Sequence, residues 1–390
     1  MKKIVLAACI AAAYGYTGFA CAQTAPAAPA APSLGAVLAA TPGLNITGYV
    51  ASTYTHFDTT PALRAFDTSQ NGFKLNQAAV TLSYLPTSGA GAQVTAIAGS
   101  DAKILRNGEC YQTATATVSC NSGGQFDLNN AFVQYATGPL TVMAGKYSTL
   151  AGAEVVNPAA DNEISRSLLF WDMEPGTHTG LRAAYAVSGA LTLTAGVNNG
   201  WNFTSSPAGT AKTIELGASG SPSKMFSYSG AYYRGQSPLY TGSATGVLQL
   251  LDLVGTFNAT DALSFAANVD ILSKDNASLA NGATGTGKAN GLALYANYAV
   301  TSQWMISARG EYIDDKNGIV TVNAAPTFSP ANGTPNKLKE LTLAVNYTPV
   351  TNFKLSAEVR QDKSDLAIFS KDGNATTKQT SLELQAVYSF

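Results

Sequence analysis

The stretch SLELQAVYSF places Leu382, Leu384, Ala386, Tyr388 and Phe390 on one parity and Glu383, Gln385 and Ser389 on the other, with Val387 as the exception. A period of two gives an extended strand with one oily and one wet face. The pattern recurs from Asn45 onward. Sixteen candidate strands result: 45–57, 73–85, 91–101, 126–137, 139–148, 178–188, 190–201, 211–220, 224–235, 247–259, 262–274, 290–300, 303–315, 337–349, 353–364 and 379–390. An even number lets the first and last strands pair antiparallel and leaves no edge. A bilayer demands this, because each unpaired N–H or C=O in hydrocarbon costs several kcal/mol. The eighth and ninth strands alternate poorly through LGASGSPSKMF, so fourteen and eighteen are the alternative counts.

Composition removes the competing classes. After the first twenty residues no run of 18 or more apolar residues occurs, so helical spans are excluded. Charged residues are only 12% against 46% hydrophobic, too few to cover the outside of a large soluble core. With 36 Gly and 18 Tyr the chain reads as all-β, a transmembrane antiparallel up-and-down β-barrel of about 16 strands. Sixteen strands leave an aqueous channel. Six short turns (LPTSGAG, TGP, VSGA, NATDA, VTSQ, PVTN) alternate with long loops at roughly 58–72, 102–125, 149–177, 202–211, 236–246, 275–289, 316–336 and 365–378. The short turns are expected to face the periplasm and the long loops the exterior. Tyr84, Tyr135, Tyr185, Tyr298, Tyr347, Tyr388 and Phe390 then fall at the periplasmic headgroup boundary.

The N-terminus carries an export signature: Lys2 and Lys3, an apolar stretch from Ile4 to Ala13, and Ala20-Cys21-Ala22 as a small-x-small cleavage site. The expected organisation is a signal peptide at 1–22, a Pro/Ala-rich linker at 23–43 with Pro26, Pro29 and Pro32, and the barrel at 44–390. A lipidated Cys21 is the weaker alternative, because the aliphatic residue three places before it is missing. SLGAVLAAT, after the linker prolines, is expected to form a short helix. Removing Lys2 and Lys3 from the 23 basic residues leaves 21 against 24 acidic ones, which gives no reason to expect nucleic acid. Cys110 and Cys120 are expected to close a small loop by a disulfide in an oxidising compartment. A metal site there lacks a His or second Cys at ligand spacing.

The chain resembles the putative beta-barrel porin-2 family of Gram-negative outer membranes. The residues that carry the resemblance are Gly145-Lys146-Tyr147, Gly152-Ala153-Glu154, Asn162, Ser165-Arg166-Ser167, Pro175, His178-Thr179-Gly180, Asn199-Gly200-Trp201, Arg309-Gly310-Glu311-Tyr312, Glu358-Val359-Arg360-Gln361-Asp362 and Phe390. The resemblance implies an outer-membrane porin and says little about its solute. The ending Tyr388-x-Phe390 also resembles the signal that such barrels present to their insertion machinery, although Gln385 stands where a Gly is common.

Parity puts Leu263, Phe265, Ala267, Val269 and Ile271 toward lipid, then Trp304, Ile306, Ala308 and Tyr312, then Phe353, Leu355, Ala357 and Val359. The lumen receives Asn268, Asp270, Arg309, Glu311, Glu358 and Arg360, a wall of opposite charges expected to face one another. Its alternative roles are to hydrate and stiffen the wall or to tune selectivity. Gly145 and Gly196 on the opposite wall leave room for an inward fold. The candidate is the third long loop, 149–177, which carries Glu154, Asp161, Glu163, Arg166, Asp172 and Glu174 beside the run Leu168-Leu169-Phe170-Trp171. Such an apolar run is expected to pack against the barrel interior or a neighbouring subunit. By analogy with general porins this loop would narrow the pore, with an outward cap or subunit latch as the alternative. Its carboxylate excess leans toward cations.

Two further motifs are set aside. GATGTGKA (282–289) has a phosphate-loop frame but Ala289 where Ser or Thr is required, between strands, and is expected to be an external loop. His56 near Asp58, and His178, lack a placed nucleophile, so no catalysis and no cofactor are expected. The expected function is passive diffusion of small hydrophilic solutes across the outer membrane, with outer-membrane lipid around the barrel and, by analogy, a homotrimer. One alternative is a substrate-selective channel for a sugar or an ion, with Tyr228, Tyr232, Tyr233 and Tyr240 stacking on sugar at the mouth. Another is a plugged barrel serving as adhesin or anchor.

Overall fold

The computed structural model describes residues 41–107, 110–112, 118–120, 124–204, 212–236, 246–321 and 327–390. The expected export segment, nearly all of the linker and the short helix after it lie outside the described residues. Sixteen strands form one closed barrel. They are β1 (Leu44–Phe57), β2 (Asn71–Tyr84), β3 (Gly89–Ala98), β4 (Phe126–Thr137), β5 (Leu140–Ser148) and β6 (Thr177–Ser188). Next come β7 (Leu191–Asn198), β8 (Thr213–Gly220), β9 (Phe226–Gln236), β10 (Val247–Asn258) and β11 (Leu263–Ser278). The last are β12 (Thr284–Ala299), β13 (Trp304–Asp315), β14 (Asn336–Val350), β15 (Phe353–Ser364) and β16 (Lys378–Ser389).

Each strand pairs antiparallel with its sequence neighbour, and β1 pairs with β16 to close the sheet, Tyr49 opposite Ser389 through Phe57 opposite Ser381. Phe390 and Gly48 extend the seam by exchanging two backbone bonds of 2.9 Å. A Cβ on Gly48 would lie 2.3 Å from the Phe390 ring, so that ring covers bare backbone. The eighth and ninth strands form despite their weak alternation, because their small residues pair cleanly: Gly217 opposite Ala231, Ala218 opposite Gly230. The hairpin of β11 and β12 is longer than expected. Its pairing runs to Ser278 opposite Thr284, so GATGTGKA enters β12 instead of lying wholly in an external loop.

Parity sorts the faces as the physics of a bilayer requires. Phe265, Ile271, Trp304, Ile306, Leu355 and Val359 are exposed on the outside, while Asn268, Asp270, Arg309, Glu311, Glu358 and Arg360 are buried within. Tyr84, Tyr135, Tyr185, Tyr298 and Tyr388 are outward and exposed at the short-turn end. Val387, the exception in the opening pattern, is inward and packs with Tyr49, Ala51, Ala65 and Ile97.

The interior is more structured than alternation indicates. Helix α1 (Ser100–Asn107) follows β3, and a short helix α2 (Leu168–Asp172) lies between β5 and β6. Two short hairpins, Cys110–Gln112 with Val118–Cys120 and Phe369–Lys371 with Asn374–Thr376, decorate the long-loop end. In the first connection Arg64 is buried and bonds Asp67 (2.7 Å) and Asp362 of β15 (2.8 Å). Residues 58–70 thus fold against the inner wall.

Candidate functional site

The segment between β5 and β6, residues 149–176, is bound at every stage to inward-facing side chains. Leu150 N donates to Tyr233 Oη of β9 (2.9 Å), and Ala153 N donates to Asn268 Oδ1 of β11 (2.8 Å). Lys354 of β15 donates to the carbonyls of Pro158 (2.9 Å) and Asp161 (2.7 Å). Asn346 Nδ2 of β14 reaches Asn162 O at 2.9 Å. Gln77 Nε2 of β2 reaches Val156 O at 3.0 Å. A segment away from water must place its backbone groups on partners. Here the barrel wall supplies them.

The charged wall residues do most of this. Glu358 accepts from Ile164 N (2.5 Å) and Ser165 N (3.2 Å). Glu311 accepts from Leu168 N (2.9 Å) and Leu169 N (3.2 Å), two orphan donors of the first turn of α2. Ser167 caps the same turn through Phe170 N (3.0 Å). Arg309 donates to Ser165 O (2.9 Å), and Arg360 donates to Arg166 O (2.5 Å). Leu168, Leu169 and Met173 then pack on Leu250, Leu272, Ala289, Ile313 and Leu338, inward residues at the long-loop end. Gly291 makes room for them, since a Cβ there would meet Met173 and Leu169. Gly145 and Gly196 play a different part: Gly145 adopts φ +135° against β4, and Gly196 lies beside Glu215. The expected opening for the segment lies at Gly217, against Leu150, and at Gly291.

Of the expected ladder, Arg309, Glu311 and Arg360 are joined by ion pairs through a member that the sequence reading omitted, whereas Glu358 is taken up by backbone donors. Glu340 of β14 stands between Arg309 (3.2 Å) and Arg360 (3.6 Å). Arg309 also contacts Glu311 (3.5 Å), and Arg360 contacts Asp362 (2.8 Å). A second pair, Arg182 with Glu215 (2.5 Å), lies on β6 and β8. Glu340, Glu215 and Arg182 all carry inward parity, so the signal was present. Arg64 sits in a connection and had no parity to reveal it. Asp270 departs from the ladder: its neighbours are the carboxyl groups of Asp252 and Glu174.

All six charges of the segment are buried. Glu154 is paired with Arg309 (2.6 Å) and also accepts from Ser167 N (2.6 Å). Arg166 pairs with Asp161 (3.0 Å) and donates to Val155 O (2.7 Å), folding the segment onto itself. Burial pushes the Asp161 carboxyl up to about 7 against the pull of Arg166. Burial pushes Glu163 up to about 8, with Arg309 opposing and Glu154, Glu358 and Asp161 adding to the rise. Asp172 is held well above the usual carboxylate range by burial, which Arg360 only partly offsets.

The tyrosines proposed to line the mouth do not share a face. Tyr233 is inward and stacks on His178 with ring centroids 4.6 Å apart, whereas Tyr228 and Tyr232 have the outward parity of β9. Tyr240 lies outside the described residues. Tyr232 bonds Gln249 on the neighbouring strand (3.0 Å). The two histidines also lie on opposite faces. His178 is buried with Nδ1 3.1 Å from Gly200 O, while His56 is exposed on the outside. Asp58, expected near His56, instead accepts from Thr380 N (2.7 Å). Cys110 and Cys120 stand opposite each other in the register of their short strands, while their side chains lie outside the described residues.

Comparison with solved structures returns outer-membrane channels. The outer membrane channel DcaP of Acinetobacter baumannii superposes with a TM-score of 0.59 at 12% identity, covering 89% of this chain and 97% of that one. The trimer form of OmpT, an outer membrane protein of Vibrio cholerae, gives 0.59 at 11%, covering 89% and 99%. An anion-selective porin from Comamonas acidovorans gives 0.55 at 14%, covering 89% and 99%. No curated protein matches the sequence. Residues 43–390 match the family described as putative beta-barrel porin-2, OmpL-like. Family and barrel together place the protein in the outer membrane, as a channel. By that match over the whole barrel, the chain belongs to the putative beta-barrel porin-2 family.

Proposed function

We propose that the protein is a porin for passive diffusion of small hydrophilic solutes, with residues 149–176 narrowing the water-filled channel. The observation that carries this reading is the fixing of that segment to the inner wall through Glu311, Glu358, Arg309 and Arg360. The segment carries five acidic side chains against one arginine, an excess that leans toward cations over anions to the extent that burial leaves them ionised. The Comamonas porin is anion-selective and shares only the fold, so its preference does not transfer.

Purified protein in planar bilayers is the test. Stepwise conductance with a reversal potential of cationic sign in a salt gradient supports the reading, and anion preference rejects the charge argument. Block by one solute would mark a selective channel, and silence a plugged barrel. We further propose that short turns face the periplasm, that lipid surrounds the outer face, that Tyr388 and Phe390 present the barrel to its insertion machinery, and that residues 1–22 are cleaved on export. The opposed backbones of Cys110 and Cys120 support a disulfide, which thiol labelling with and without reductant checks.

A further inference from the structure

We propose that Glu174, Asp252 and Asp270 form a binding site for a divalent cation of the calcium class, inside the barrel between the 149–176 segment and the wall. Glu174 closes that segment, Asp252 lies on β10 and Asp270 on β11, opposite each other in the register. One oxygen from each lies within 4.8 Å of the others. All three residues are buried.

The unmet bonding of these groups points to a ligand. Both oxygens of Asp270, Oδ1 of Asp252 and Oε1 of Glu174 are buried with no donor other than a proton shared among the three carboxyl groups. Several buried carboxylates elsewhere in the lumen meet cations, Glu154 with Arg309, Asp362 with Arg360 and Glu215 with Arg182, whereas these three face one another. Three carboxylates this close cannot all stay ionised without a counter-charge. A divalent cation converts the repulsion into ligation.

The surroundings hold the donors in place. Asn268 Nδ2 donates to the second oxygen of Asp252 at 2.7 Å, and its Oδ1 accepts from Ala153 N at 2.8 Å, so it orients one carboxylate and one backbone turn. Gly152 adopts φ +92°, and a Cβ there would stand 2.0 Å from Glu174 Oε2. Only a glycine lets the segment turn and Glu174 approach at once. Four free oxygens on a hard, all-oxygen site suit Ca²⁺, which accepts irregular geometry and completes its six to eight ligands with water. Mg²⁺ demands a near-ideal octahedron and is the weaker fit. A bound cation would pin the end of the segment to β10 and β11.

The site does not depend on conduction, so its test stands apart from the channel reading. Full-chain protein refolded in detergent and stripped with chelator is titrated with CaCl₂ by calorimetry, with MgCl₂ as a parallel arm. One saturable calcium site is expected, and Ca²⁺ should raise the unfolding temperature. Asp270→Asn and Glu174→Gln should each weaken calcium at least about tenfold, since affinity follows ligand charge count. Asp172→Asn, which removes a buried carboxylate outside the trio, should leave it unchanged. Heat-modifiable migration identifies the folded variants, and Glu174→Gln, outside the strands, keeps the test open if the wall variant fails to fold. Folded wild type without saturable calcium binding overturns the proposal and leaves shared protons as the counter-charge. Unaltered affinity in Glu174→Gln overturns it equally.

Discussion

Arg309 carries the heaviest single load in the interior. Its guanidinium meets Glu154, Glu311 and Glu340 and also donates to Ser165 O. Replacing it by Met strands Glu154 and Glu311 and leaves Glu340 with Arg360 alone, and stranding the partner of a buried ion pair costs about 3–5 kcal/mol. Arg309→Met should therefore lower the temperature at which the barrel loses its folded electrophoretic migration. A variant as stable as wild type would show that the network contributes little. Residues like this were half legible. Alternation gave the inward face of Arg309, Glu311, Glu358 and Arg360, because parity is local. Their partners on the 149–176 segment were not legible, because those pairings join positions over 140 residues apart and follow no periodicity.

Among elements, the strands were the most readable and the connections the least. Both limits have one cause: a strand in a bilayer must alternate, whereas a connection answers only to what it meets. The run Leu168-Leu169-Phe170-Trp171 divides between two contacts: Leu168 and Leu169 meet Leu250, Leu272 and Ile313, which sit where a lumen is expected to be polar, and Phe170 and Trp171 lie against Phe66. For the strands, Val359→Arg on the outer face of β15 should cost about 2–4 kcal/mol if Val359 sits near the midplane. Urea titration of the protein refolded in lipid vesicles checks this.

For the segment, pH is the lever. Glu163 is faced by Arg309, Glu154, Glu358 and Asp161, and Asp161 by Arg166, Glu154 and Lys354. The packed segment holds both protons more tightly than a released one would. The packed state therefore has full strength below the ordinary carboxyl range and weakens as pH rises toward about 8. Proteolysis within 149–176 should be slower at pH 5 than at pH 9, and Glu163→Gln should flatten the difference. Faster cleavage in acid would contradict this.

At the level of the whole molecule, the closed sheet leaves no unpaired edge among its sixteen strands, so association cannot proceed by adding a strand to the barrel. Chemical crosslinking in detergent tests the homotrimer expected by analogy: a three-fold ladder would support it, and a single band at the monomer position would assign the protein to a solitary barrel.

On the proposed function, the wall carboxylates and guanidinia that would set the field along the channel are the same groups that hold the backbone of 149–176. Aperture and charge preference would then share their hardware. Evolution or an engineer seeking a new permeant could not swap Glu311 or Arg360 alone, because the segment would loosen with it. Change would have to arrive as matched replacements on both sides of the contact.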